Sequence, residues 1–367
     1  MPLGTRRAIF LGENGELSIK DLTEDYKPVG DQALVKVKYS AINPADLKHA
    51  FVGIYGSVTG YEWVGTVIEV GNSSPFKVGQ DVFGISIPGH QRPLYLGAHQ
   101  DYLIADGSQT TWTVPKSMSD EDAVSVPMAV QTAADALFNT LGFGFSAAGL
   151  DGRDATGVPI LIWGGASAVG AGTVQVAKAA GFDPIFTTAS PRNHESLLKI
   201  GASQVFDYNS PSVVEDIKHA VAQSGKKLTV VFDAVSAGLG KLGESSETRS
   251  ANNTPDLARQ CISDYVSADD LLMSSVLPVD HDPAWKLCIG IRPYGDSFSF
   301  GGIIPQDPSF PVRMKKYMDW FMENHESFWQ PILRNIIVQG AEKGIEEIQR
   351  VADGGTSKEK VLIARPM

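Results

Sequence analysis

Residues 160–170 read Ile-Leu-Ile-Trp-Gly-Gly-Ala-Ser-Ala-Val-Gly, and no other stretch restricts the fold of this chain as strongly. An apolar strand, a glycine turn and a helix start follow one another directly. Small side chains at such a turn let the backbone approach a pyrophosphate, and the helix behind it supplies unpaired N–H groups and a favourable dipole. The run departs from the strict dinucleotide fingerprint, since Ser167 stands where a middle glycine is expected. The context extends the reading. Ala168 to Ala180 has helical spacing and stops at Gly181. Strands are predicted at 184–188, 204–206 and 228–232, and helices at 195–200 and 213–222. Strands alternating with helices argue for a parallel sheet with right-handed crossovers. The expectation is an α/β chain with a doubly wound parallel sheet in residues 128–304. A nucleotide would be held there by Gly164, Gly165, Ala166, Ser167, Ala168 and Val169.

The flanks follow another period. Residues 8–10, 17–19, 33–39, 64–71 and 77–84 are β-rich and punctuated by Gly and Pro, which predicts a short-strand, barrel-like domain over 1–127. A helix is predicted over 128–141, a polar loop over 238–253, and an amphipathic helix over 312–328. A strand at 332–338, a helix at 341–352 and a strand at 360–364 return to the style of the first domain, so 305–367 is assigned to it.

The strand ending at Thr188 bears on which cofactor binds. A site for the unphosphorylated dinucleotide carries Asp or Glu there, for the ribose 2′-hydroxyl. This chain has Ser190, Pro191, Arg192 and Asn193 instead. Arg192 can pair with a phosphate, and Ser190 and Asn193 can hydrogen-bond to it, which favours NADPH. Tyr208, after the third strand, would either cover the same phosphate or pack. Asp233 ends a strand at the carboxyl edge of the sheet, where it would either contact the cofactor or cap a helix.

Bulk properties exclude several classes. The formal net charge is −11 and no basic run exceeds a pair such as Lys226-Lys227, so no nucleic-acid partner is expected. No stretch approaches the ~18 apolar residues of a membrane span, and the polar N-terminus has no signal core, so no membrane association is expected. The two cysteines, Cys261 and Cys288, do not make a disulfide framework, which suggests a reducing, cytoplasmic setting.

The order of a β domain, a nucleotide-binding unit and a return to the β domain resembles the medium-chain dehydrogenase/reductase superfamily over essentially the whole chain. Asn43-Pro44-Ala45-Asp46-Leu47-Lys48, the glycine turn and the ending Val338-Gln339-Gly340 are most similar to fungal enoyl reductases that serve polyketide synthases in trans. The resemblance implies a GroES-like β-barrel catalytic domain plus a Rossmann domain. Zinc-dependent members carry an early Cys and a Gly-His-Glu. Here the triplet is Gly60-Tyr61-Glu62, no cysteine precedes it, and no metal is expected.

The implied chemistry is hydride transfer from NADPH to the β-carbon of a conjugated alkene, charge build-up on the carbonyl oxygen, and protonation of the α-carbon. By resemblance, Lys48 would stabilise the enolate or protonate carbon, unless it is a surface lysine. Tyr55, in a Gly-x-Tyr, would give the proton or form a wall. Thr132, read as starting the inter-domain helix, would contact the nicotinamide or the carbonyl. Tyr61 would line the space vacated by zinc, and Phe300-Gly301-Gly302 would form a loop against the nicotinamide. The implied partners are a small-molecule or carrier-bound acyl substrate and a polyketide synthase. A quinone or enone reductase, and a nucleotide-binding protein with a non-redox or scaffold role, are the competing readings.

Overall fold

Ala33, Val35 and Val37 are buried in one cluster with Trp63, Val67, Val82 and Leu103, while the intervening Lys36 is exposed. The period of two puts these three on one face of a strand; on the other face Leu34 is buried in a second cluster with Tyr26 and Ile104. A computed structural model describes residues 3–239, 249–300 and 302–367. It divides into a first unit, Met1–Met128, Ile291–Pro308 and Leu333–Met367, and a second unit, Ala129–Gly290 and Ser309–Ile332. The sequence reading placed its first boundary after 127 and assigned everything from 305 onward to the first domain. In the structure, residues 309–332 belong with the second unit and 291–304 with the first.

In chain order the first unit opens with strands β1 (Arg6–Leu11), β2 (Leu17–Leu22), β3 (Ala33–Ala41), β4 (Ser57–Val58), β5 (Glu62–Val70), β6 (Asp81–Ile85), β7 (Tyr102–Ala105) and β8 (Thr111–Thr113). Helices α1 (Ala45–Lys48) and α2 (Asp120–Ala123) lie among them, and α3 (Val126–Ala134) contains the first boundary. The second unit adds β9 (Ile160–Trp163), α4 (Ala168–Ala180), β10 (Ile185–Thr188), α5 (His194–Lys199), β11 (Gln204–Phe206), α6 (Val213–Gln223), β12 (Val230–Asp233), α7 (Thr254–Gln260), β13 (Leu272–Ser275) and β14 (Trp285–Leu287). The hairpin β15 (Ser297–Ser299) and β16 (Ile303–Pro305) follows, then α8 (Ser309–Asn324), β17 (Arg334–Gln339), α9 (Ala341–Ala352) and β18 (Glu359–Ala364).

The first unit contains a seven-stranded sheet ordered β17-β18-β3-β5-β6-β8, with β7 also pairing with β3, and a three-stranded sheet β2-β1-β4. Register shifts between Leu34 and Val35 and between Val37 and Tyr39 mark irregularities where β3 runs against β5, a device that bends and twists a strand. Helix α9 buries Ala341, Gly344, Ile348 and Val351 at helical spacing, and Ala341, Ile348 and Val351 share a cluster with Ile9, Leu11, Ile42, Leu47 and Ile363.

The second unit has a parallel sheet ordered β11-β10-β9-β12-β13-β14. Numbered by appearance, this is the order 3-2-1-4-5-6 of the doubly wound fold, with its reversal between β9 and β12. Leu161, Trp163, Phe186, Ile217, Val231, Met273 and Trp285 belong to one buried cluster of it.

Three local expectations change. The strand expected at 77–84 is confined to β6. Residues 77–80 turn instead, with Gly79 at φ +87° and Gln80 N–H donating to the Lys77 carbonyl. The helix expected over 128–141 starts earlier, and its last turn widens so that Leu141 N–H reaches the Ala136 carbonyl five residues back. Thr132 is therefore the seventh residue of α3, not its start. Of the polar loop expected at 238–253, residues 240–248 lie outside the described residues, as does Gly301. No helix among the described residues is long and apolar enough to cross a membrane.

Candidate active site

The turn after β9 is shaped by contacts that only glycine allows. Gly164 has φ +85°, and a Cβ there would lie 2.0 Å from Val235 Cγ2. A Cβ on Gly165 would lie 2.2 Å from Thr187 Oγ1. Thr188 fastens the turn to the neighbouring strand: its hydroxyl accepts from Gly164 N–H and its carbonyl from Gly165 N–H. Ser167, in the place of a glycine, is the N-cap of α4, its hydroxyl accepting from Gly170 N–H at 2.9 Å. The amides of Ala166, Ala168 and Val169 then have no acceptor among the described residues. Three unpaired N–H groups at the start of a thirteen-residue helix form an anion cradle.

Beyond β10 the chain forms a tight turn at 191–193. Ser190 donates to the Tyr208 hydroxyl at 3.2 Å, and Tyr208 and Arg192 are exposed. Asn193 is buried. The structure thus brings Ser190 and Tyr208 together beyond β10. Asp233 is committed elsewhere. Its carboxylate accepts from Val235 N–H, Ser236 N–H and the Thr254 hydroxyl, so it organises the turn after β12, although burial pushes its pKa up. Thr132 is buried within α3.

In the first unit, the Asn-Pro-x-Asp-x-Lys run folds into α1 and a following tight turn, 49–52. Asp46, wholly buried, anchors it. Its carboxylate accepts from Asn43 N–H at 2.8 Å and pairs with His99 at 3.1 Å. Lys48, the last residue of α1, is half-buried and its amine has no hydrogen bond or ion pair among the described residues. Burial lowers its pKa, opposed only by Asp353. Tyr55 is half-buried, packs against the cluster containing Leu47 and Ile348, meets the His90 ring edge-on, and donates weakly to Glu13 at 3.4 Å.

Tyr61 is 2% exposed and its hydroxyl lies 2.7 Å from His49 Nδ1. The Arg92 guanidinium sits 4.7 Å over the Tyr61 ring, its two terminal nitrogens donating to the carbonyls of Ile87, Val58 and Gly60. Phe300 meets the His49 ring edge-on at 5.4 Å. Sequence reading named Tyr61 and Phe300 but missed His49, which joins them. Glu62, wholly buried, is held by Lys360 and by Asn43 and accepts from Met128 N–H.

The Tyr61 and Glu62 positions do not suit a zinc ion. One presents a protonated phenol, and the other a carboxylate already filled by an ammonium, an amide side chain and a backbone N–H. No group of three or more His, Cys, Asp or Glu side chains among the described residues could hold a metal.

Comparison with known proteins follows the same division. Residues 30–116 match the alcohol dehydrogenase GroES-like domain and residues 168–240 the family described as zinc-binding dehydrogenase. A trans-enoyl reductase of Gibberella fujikuroi is 34% identical over 233 residues, 62% of this chain and 64% of that protein. The trans-enoyl reductase TOXD of Cochliobolus carbonum is 31% identical over 209 residues, 56% of this chain and 67% of that protein. The chain spans between about half and two thirds of the length of the curated relatives it matches. Among solved structures, the CurK enoyl reductase superposes with a TM-score of 0.67 at 16% identity, covering 98% of this chain and 99% of that one. With the 3-2-1-4-5-6 sheet, the capped glycine turn and the β-rich first unit, the chain belongs to the medium-chain dehydrogenase/reductase superfamily, where it is similar to the fungal trans-enoyl reductases.

Proposed function

We propose that this chain is an NADPH-dependent enoyl reductase acting on an α,β-unsaturated acyl thioester, presented on the carrier of a polyketide synthase. The observation that carries the reading is Lys48: a half-buried amine, without a partner among the described residues, at the end of a helix anchored by Asp46. An amine whose charged form is disfavoured releases its proton more readily than a solvated lysine. Bound NADPH supplies the hydride. The amides of Ala166, Ala168 and Val169 would hold the pyrophosphate, and Arg192, with Ser190 and Tyr208, would hold the 2′-phosphate. Lys48 gives a proton to the α-carbon and is recharged from water. Tyr55, turned towards Glu13 and His90, shapes the wall rather than supplying the proton. The printed names of the relatives support the same reaction class.

The test is cofactor oxidation with NADPH and, separately, NADH, against crotonyl-pantetheine, a free enone and a quinone. NADPH consumption with the thioester is the expected result. Arg192→Ala should raise KM for NADPH by about 10–100-fold, the loss of one charge-assisted phosphate contact, and leave NADH unchanged. Consumption with the quinone or enone alone would assign the chain to detoxification. Bound NADPH that no alkene or quinone oxidises would favour a non-redox role.

A further inference from the structure

The pair formed by His49 and Tyr61 has no part in the reading above. His49 begins the turn after α1, and Tyr61 precedes β5. Their side chains meet at 2.7 Å between Nδ1 and the phenol oxygen, with ring centroids 5.1 Å apart. Which atom carries the proton follows from burial. Tyr61 is 2% exposed, and His49 Nδ1 is the one hydrogen-bond partner of its hydroxyl among the described residues. If Nδ1 carried the hydrogen, the phenol proton would be buried without an acceptor, which is costly. The phenol therefore donates to Nδ1, and the imidazole hydrogen resides on Nε2. Both groups are held neutral: burial drives the Tyr61 pKa up and pulls that of His49 down to about 4, where Arg92 adds to the effect and Asp46 opposes it.

Nε2 has no hydrogen-bond partner among the described residues, although Nδ1 is fixed on one side and the Phe300 edge bounds the ring on another. A neutral imidazole with a locked tautomer and an unpaired N–H is a hydrogen-bond donor prepared for an oxygen that gains charge. We propose that His49 Nε2–H donates to the thioester carbonyl oxygen as it becomes an enolate, and that Tyr61 is the positioning residue that keeps this hydrogen on Nε2. The inference rests on the enoyl-reductase reading. Hydride adds to the β-carbon, the alkene pair moves through the α-carbon to the oxygen, and His49 keeps its proton. The proton for the α-carbon comes from Lys48.

Three variants and one spectrum test this. His49→Leu should lower kcat for crotonyl-pantetheine by about 100–1,000-fold, the usual effect of removing one such donor, with KM for NADPH within threefold of wild type. His49→Gln places an amide N–H near the lost Nε2 position and should recover at least tenfold of that loss. Tyr61→Phe frees the tautomer and should show an intermediate loss in kcat. In the ¹⁵N spectrum of the wild type, His49 should show a protonated Nε2 and a bare Nδ1, and Tyr61→Phe should remove that preference. A His49→Leu enzyme within threefold of wild-type kcat would overturn the donor role while leaving the reductase reading in place. A protonated Nδ1 would overturn it whatever the activity. Absence of turnover by the wild type would instead strike the reductase reading, and the proposal with it.

Discussion

At Gly170 a Cβ would lie 2.2 Å from the Gly164 carbonyl oxygen, although the residue sits in an ordinary helix; at Gly164 the backbone itself is left-handed. One position excludes side chains by contact, the other by contact and conformation. Both keep the turn thin enough for its free amides to reach a ligand. In the first unit the constraint is electrostatic. The folded chain pulls His49 to about 4, chiefly by burial, whereas an unfolded histidine titrates near 6.5. On acidification the unfolded chain takes up that proton first, so this residue's contribution to stability is intact above pH ~6.5 and is lost as pH falls towards ~4. Urea denaturation of wild type and His49→Gln should show the wild type losing on the order of 2–3 kcal/mol relative to the variant over that interval. Parallel curves would contradict the assignment.

Among the elements, α4 depends most visibly on one side chain. Ser167→Ala removes the cap on Gly170 N–H and should cost about 1 kcal/mol, read as a fall in Tm of roughly 2–4 °C. A variant that melts like wild type would show that the cap is dispensable. Strands β9 and β10 and helices α4 to α6 lie within a residue or two of where the sequence reading put them. Each has a single clear period, and α4 is stopped by a glycine. The strands β13, Leu-Met-Ser-Ser, and β14, Trp-Lys-Leu, carry no such pattern. Their place comes from pairing along the sheet edge, which a local window does not contain. The site divides in the same way. Lys48 and Tyr55 stood out as candidates because they belong to short motifs. The bonds joining His49 to Tyr61, 12 positions apart, and Glu62 to Lys360, 298 apart, arise only when separate segments meet.

For the molecule as a whole, neither cysteine is in a disulfide and both are buried, Cys261 at 0% and Cys288 at 2% exposure. Burial pushes the Cys261 thiol up to about 12, leaving almost no thiolate at neutral pH. A chromogenic disulfide reagent should therefore find no fast thiol in the native protein and two in denaturant. A rapid native reaction would mean that this part of the fold opens readily. One topological feature bears on how the molecule is made. β18 lies between β17 and β3, so the central sheet of the first unit joins residues 33–41 to residues 359–364. On the ribosome, β7 can pair with residues 33–36 of β3, but the stretch Tyr39 to Ala41 that receives β18 waits unpaired while more than 300 further residues are synthesised. A strand made well before β18 is thus among the last to be finished, and a nascent chain halted before residue 359 would carry an open, adhesive β edge at residues 39–41.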